Sequence, residues 1–284
     1  MACDRCDDTG WKAVTTDGVR RVVRCDCWLQ KGASQRIDRA NIPKRYQHCT
    51  FENFRAYNDS LKRGLNFARR VVNEFPLDRG LLLIGLPGVG KTHLAVATLR
   101  AWIEKGGTGL FHTTIDLMSL LRGTYAGYEQ ASEAQILDRV SSVDMLVLDE
   151  VGRERVTEWR DEILHLIINA RYSQRRATVL TTNFDIGDDP QHPEGLQARV
   201  GFRIYSRLHE MCEFVHMDGA DYRERPTNAG DDDLVNMWKM RKETRGATGK
   251  GLPARTKGQL RVQVQADRPA RELGWSGGKA TNRD

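Results

Sequence analysis

The stretch Gly85-Leu86-Pro87-Gly88-Val89-Gly90-Lys91-Thr92 restricts what this chain can become more than any other. It follows the apolar run Leu81-Leu82-Leu83-Ile84 and opens a segment where Leu94, Thr98, Leu99, Trp102 and Ile103 recur with helical period. Strand, glycine loop and helix in that order are the three parts a phosphate site needs. Glycines let the backbone curl and present N–H donors, the helix N-terminus favours an anion, and a lysine meets the outer phosphates. Thr92 would then offer its hydroxyl to Mg²⁺. The plainer alternative is a glycine-rich turn between a buried strand and a helix, with Lys91 a solvated charge.

A second signal is independent of the first. Met145-Leu146-Val147-Leu148-Asp149-Glu150 is an apolar strand ending in two carboxylates, the Walker B pattern. An acid at the C-terminal end of a parallel strand lies on the same sheet edge as a phosphate loop, so Asp149 can hold the Mg²⁺ that Thr92 touches. Glu150 beside it is what a hydrolase needs to orient and deprotonate an attacking water; otherwise it is an ordinary exposed acid. Leu110 to Thr113, Thr178 to Asn183 and Glu213 to Met217 read as further strands, separated by helical segments Ile115 to Arg122 and Thr157 to Arg171. The result is an α/β fold, a five-stranded parallel P-loop sheet flanked by helices. Asn183, at a strand tip, can reach a γ-phosphate or attacking water, or simply cap a turn. Arg203 and Arg207 are four apart and can share one helix face, either as a trans contribution to a neighbour's γ-phosphate or as surface salt bridges.

The chain's 39% hydrophobic and 29% charged residues are those of a soluble globular protein. No apolar run approaches a membrane span, and the charged start is unlike a signal peptide, so a cytoplasmic protein with reduced cysteines is expected. Cys3, Cys6, Cys25 and Cys27 form C-x-x-C and C-x-C pairs 18 residues apart, flanking a hairpin pattern with its turn at Thr15-Thr16-Asp17-Gly18. Two close thiolate pairs suit a tetrahedral Zn²⁺, which would also explain how so short a segment folds; free thiols or an iron–sulfur cluster are the alternatives. Cys49 and Cys212 stand alone as packing residues.

Between the cysteines and the loop, Ile42 to Tyr46 and Thr50 to Phe54 are dense in aromatic and apolar residues, as in a strap lying over a domain. Ser60 to Phe75 reads as a helix capped by Ser60 and followed by Pro76. Tyr125 and Tyr128 beside Arg122 are of the kind that stack on single-stranded nucleic acid, or merely prop a surface loop. From 235 to 284 there are 12 Lys or Arg against 4 Asp or Glu, which leaves the rest of the chain close to neutral. The basic tail, expected to be disordered, carries the net charge of +6 and can attract nucleic acid without sequence preference, or stay solvated.

Taken together, the motif order resembles the AAA+ ATPases of the DnaC/DnaI helicase-loader and IstB transposition-helper family. The resemblance rests on Ile42-Pro43-x-Arg45-Tyr46, Thr50-Phe51-Glu52-Asn53-Phe54, Gly90-Lys91-Thr92-His93-Leu94-Ala95, Leu148-Asp149-Glu150-Val151-Gly152, Thr182-Asn183 and Arg203-x-x-Ser206-Arg207-Leu208. It implies an ATPase that self-associates and helps place the replicative DNA helicase on single-stranded DNA. It further implies Lys91, Glu150, Asn183, Arg207 and Arg203 as the catalytic set. Nucleotide contacts fall to Gly85, Pro87, Gly88, Val89, Gly90, Lys91, Thr92 and His93. Asn183 matches sensor 1, Arg207 the arginine finger and Arg223 a terminal basic motif. Three segments follow: residues 1–40 as a Cys-rich zinc module and connector, 41–226 as the ATPase domain, and 227–284 as the tail, with no helical lid expected after the sheet. Rival readings are an IstB-type transposition helper, a P-loop small-molecule kinase, and a nucleotide-gated binding module without turnover.

Overall fold

Leu81, Leu82, Leu83 and Ile84 leave a strand no polar face, so it must lie inside a sheet covered on both sides. The computed structural model describes residues 3–7, 9–16, 19–74, 79–125, 131–186, 192, 195–228 and 230–248. In chain order the first elements are β1 (Trp11–Thr16), β2 (Val19–Arg24), α1 (Asp26–Arg39), α2 (Asp59–Asn73), β3 (Gly80–Gly85), α3 (Lys91–Glu104), β4 (Gly109–Thr113) and α4 (Thr114–Tyr125). Then follow α5 (Glu133–Ser142), β5 (Met145–Asp149), α6 (Glu158–Ser173), β6 (Ala177–Thr182), α7 (Leu196–Val200), α8 (Phe202–Met211), β7 (Cys212–Met217) and α9 (Asp231–Thr248).

β1 and β2 form an antiparallel hairpin, and the other five strands a parallel sheet in the order β4-β5-β6-β3-β7. Alternation then sorts the core. Leu81, Leu83, Val147 and Val179 face a layer built by α2, α3 and the strap, while Leu82, Ile84, Leu148 and Leu180 face α4, α5, α6 and α8. Each such buried leucine contributes about 1.5–3 kcal/mol. After β3 the chain crosses to the far edge, whereas β7 adds on the other side, so strand order reverses at the C-terminal end of β3. A crevice opens there. The described helices include none long and apolar enough to cross a membrane.

Several details differ from the sequence reading. Asn58, not Ser60, caps α2: its side chain accepts from Leu61 N–H at 3.0 Å and donates to Asp218 O at 2.9 Å. Ser60 instead exchanges hydrogen bonds with the backbone of Asp218, joining α2 to the end of β7. The helix after β4 runs on to Tyr125, through what reads as loop. α5, with its Ser132–Gln135 capping box, went unread because Ile136 and Val140 are the buried hydrophobes of its short amphipathic stripe. The stretch from 227 also differs from a wholly disordered tail: α9 covers Asp231–Thr248 and its Leu234 is fully buried. The hairpin turn at 17–18, Pro76, Tyr128, and the tail from 249 onward lie outside the described residues.

Arg171, at the end of α6, is fully buried, and among the described residues no carboxylate bonds its side chain. Its guanidinium donates to Thr178 Oγ1 and to the carbonyls of Val140, Ser141, Val143, Asp144 and Ala177, at 2.6 to 3.2 Å. One side chain thus satisfies the end of α5 and the starts of β5 and β6. Replacing it by methionine keeps much of the volume but strands five carbonyls. Arg171→Met should cost about 3–5 kcal/mol in chemical denaturation.

Candidate functional site

β3 ends at Gly85 and α3 begins at Lys91, so the glycine loop sits over the crevice. Gly88 and Gly90 have φ of 83° and 97°, which L side chains rarely adopt. Space forbids a side chain as well: a Cβ on Gly88 would lie 1.8 Å from Asp221 Oδ1, and one on Gly90 would lie 2.9 Å from the Phe54 ring. Lys91 is only 7% exposed, and its Nζ donates to Gly85 O at 2.8 Å and Leu86 O at 2.7 Å. Burial pulls its pKa down to about 8, with repulsion from Arg223 and Arg241 adding to the shift and Asp149 and Glu150 opposing it. A cation so placed is well matched to an incoming anion.

The register that sets Leu148 beside Leu180 carries Asp149 alongside Thr181. Asp149 accepts from Thr181 Oγ1 at 2.6 Å and from Thr92 Oγ1 at 2.9 and 3.1 Å to its two oxygens. Its carboxyl is raised above the usual range by burial, against these two hydroxyl donors. Glu150 has φ 59°, an uncommon value for a residue other than glycine, held by its N–H bond to Thr181 Oγ1 at 3.0 Å. The turn sends the two neighbouring carboxylates apart, Asp149 to Thr92 and Glu150 to an ion pair with Arg153.

A cleft of about 660 Å³ collects these parts, a size suited to a cofactor-sized ligand. Pro87, Gly88, Val89, Gly90, Lys91, Thr92 and His93 line it from one side, Glu150 and Asn183 from the sheet edge, and Tyr46 and Phe54 from the strap. Gly85 lies behind the loop, its carbonyl on Lys91. His93 Nε2 is 3.0 Å from Thr50 O and its ring meets Phe54 edge-on, so this histidine ties strap to helix. Arg45, Arg55, Arg153, Arg223 and Arg225 also line the cleft, whereas Glu150 is its sole acidic lining side chain among the described residues. Such a balance fits a polyanion. Arg55, Arg153 and Arg225 were not legible as site residues, although Arg153 stands three after Glu150. Thr181 was missed too, being read only as part of a buried strand.

Arg203 and Arg207 share α8, with Arg207 Nη1 on Arg203 O at 3.2 Å, and neither lines the cleft. Phe202 beside them is 71% exposed. Farther off, Arg122 stacks over Trp159 at 4.8 Å and Tyr125 meets the same indole edge-on.

At the N-terminus all four sulfurs of Cys3, Cys6, Cys25 and Cys27 lie within 4.8 Å of one another. Cys3–Cys25 is 3.8 Å and Cys6–Cys27 is 3.3 Å. Zinc–sulfur bonds of about 2.3 Å in a tetrahedron put sulfurs about 3.8 Å apart, so the donor set fits that ion. The tight C-x-C spacing works because Cys25 is the N-cap of α1 and Cys27 lies in its first turn. Cys49 and Cys212 are buried packing residues.

A family model described as IstB-like ATP binding protein matches residues 56–229. The replicative helicase loader DnaC of Buchnera aphidicola subsp. Schizaphis graminum is 32% identical over 173 residues, 61% of this chain and 68% of that protein. The loader DnaC of Escherichia coli (strain K12) is 31% identical over the same length, covering 67% of that protein. Among solved structures, the DnaC helicase loader superposes with a TM-score of 0.55 at 34% identity, over 62% of this chain and 99% of that one. DnaI shares the fold at a TM-score of 0.54 and 23% identity, over 66% of this chain and 100% of that one. The parallel sheet and the helices flanking it are thus those of AAA+ proteins, and the chain belongs to the IstB-like ATP-binding protein family.

Proposed function

We propose that this chain is an ATP-hydrolysing helicase loader that helps place a replicative DNA helicase on single-stranded DNA. The observation that carries the reading is the Thr92–Asp149 hydrogen bond beside Glu150 in a cation-lined cleft, in a chain related to DnaC loaders. ATP is the substrate, and Mg²⁺ when bound offsets charge on its outer phosphates. Lys91 leaves the carbonyls of Gly85 and Leu86 to meet the β- and γ-phosphates. Thr92 and Asp149 hold the metal, Glu150 takes the proton of the attacking water, and Asn183 orients that water. Arg207, with Arg203 beside it, lies outside its own cleft, which supports service to a neighbouring copy's γ-phosphate. An IstB-type transposition helper shares every one of these roles and differs in partner, a transposase instead of a helicase. Exposed Arg122 and Tyr125, resting on half-buried Trp159, and the basic tail support contact with DNA.

Turnover measured with and without single-stranded DNA tests this reading. The wild type should be DNA-stimulated, and Glu150→Gln should bind ATP normally while losing about 10²- to 10⁴-fold in rate. Tight ATP binding with no turnover in the wild type would favour a nucleotide-gated binding module.

Lys91 also sets a pH dependence. Phosphate binds the charged amine, whose pKa in the empty chain is about 8. Below that value the lysine is already charged. Above it a proton must be taken up on binding, so affinity should fall as pH rises past 8. Calorimetry between pH 7 and 9.5, in buffers of different ionisation enthalpy, should show that proton uptake. The N-terminal sulfurs form a structural zinc site in this reading. Purified chain should carry about one zinc per molecule, and Cys25→Ser should lose it together with protection of the hairpin amides from exchange.

A further inference from the structure

Past the family-matched residues the chain forms α9, and the elements that hold it are those that enclose the cleft. Leu234 is fully buried, and Trp238 Nε1 donates to Asp218 Oδ2 at 2.9 Å just beyond β7. Arg241 Nη1 donates to Gly219 O at 3.0 Å, and its Nη2 reaches Pro87 O in the glycine loop at 3.5 Å. At the start of the helix Asp231 pairs at 3.1 Å with Arg55, a lining residue of the cleft. A single helix therefore touches the glycine loop, the strap and the segment after β7.

Charge gives this arrangement a direction. Arg241 and Arg223 both approach Lys91 closely enough to repel it. Asp149 and Glu150 each attract it more strongly than either arginine repels it, and the Asp221 carboxylate lies against Gly88. A polyphosphate in the loop would neutralise the converging cations and favour the docked position of Arg241. We propose that Arg241 is a positioning residue for the phosphates of a bound nucleotide, acting through the glycine loop, and that α9 docks more firmly when the cleft is filled. This rests on reading the cleft as a nucleotide site. Linkage makes the effect reciprocal: whatever affinity α9 lends to the nucleotide, the nucleotide returns to the docking of α9.

The test uses the full chain and reads binding, not hydrolysis. Affinities for AMP and for a hydrolysis-resistant ATP analogue are measured for wild type, Arg241→Ala, Arg241→Lys and Leu234→Ala. Arg241→Ala should weaken the analogue roughly three- to tenfold and AMP by less than about twofold, because a partly screened charge acts mainly on the outer phosphates. Arg241→Lys should recover most of the loss, and Leu234→Ala, which loosens the helix, should reproduce the analogue-selective pattern. In the wild type the α9 amides should exchange more slowly with the analogue bound, and Arg241→Ala should abolish that protection. Equal losses for both ligands, unchanged affinities, or exchange in α9 indifferent to the analogue would overturn the proposal. A wild type that binds neither ligand would remove the nucleotide reading itself, and this inference with it.

Discussion

A carboxylate buried at the end of β5 ties the first turn of α3 to the sheet. Asp149 is only 4% exposed, so the hydroxyls of Thr92 and Thr181 stand in for most of the water it would otherwise bind. Those two donors come from α3 and β6. Their convergence fixes the first turn after the glycine loop against two neighbouring strands at once. Thr181 then serves twice, since the same hydroxyl accepts from the Glu150 N–H and stabilises the left-handed turn that parts the two acids. The divergence of these two consecutive carboxylates thus depends on one threonine in the adjacent strand.

The cleft's electrostatics follow from the same shortage of compensation. Lys91 spends its donors on two carbonyls of the loop that precedes it, and five arginines surround it with one acidic lining residue among those described. Two of the five are paired, Arg55 with Asp231 and Arg153 with Glu150, and the excess of cations that is left favours an incoming anion. Affinity for a polyanion is therefore built into the fold of the empty chain, not added by one side chain.

How much of this was legible depended on whether the signal was local. The glycine loop, the paired acids and the hairpin cysteines were readable because their chemistry requires fixed spacing within a few residues. The sheet was readable because β3 and β5, covered on both faces, run apolar almost without interruption. The sequence points to Ser60 as the cap in place of Asn58 because choosing between them depends on Asp218, 160 positions from Asn58, which engages both. Arg171 looked like an ordinary basic residue at a helix end, and nothing nearby in sequence announces the carbonyls it serves. α9 was lost for a similar reason: its mean composition is that of a charged tail, and one buried leucine, a tryptophan and an arginine anchor it. Arg55, Arg153 and Arg225 join the cleft only because the strap, the turn after β5 and the segment after β7 fold over the same loop.

The connector before the strap bears on where this protein can be divided. β4 is one of the two edge strands of the five-stranded sheet, and a bare strand edge invites pairing with other chains. Its middle residue, Phe111, has both outward backbone groups occupied: its N–H bonds Ala40 O at 2.8 Å and its carbonyl accepts from Asn41 Nδ2 at 3.1 Å. The segment leading out of the cysteine module is therefore the sheet's edge guard. Removing the residues up to Asn41 would uncover this strand edge, so the segment around residue 40 is part of the sheet's protection and not a loose connector.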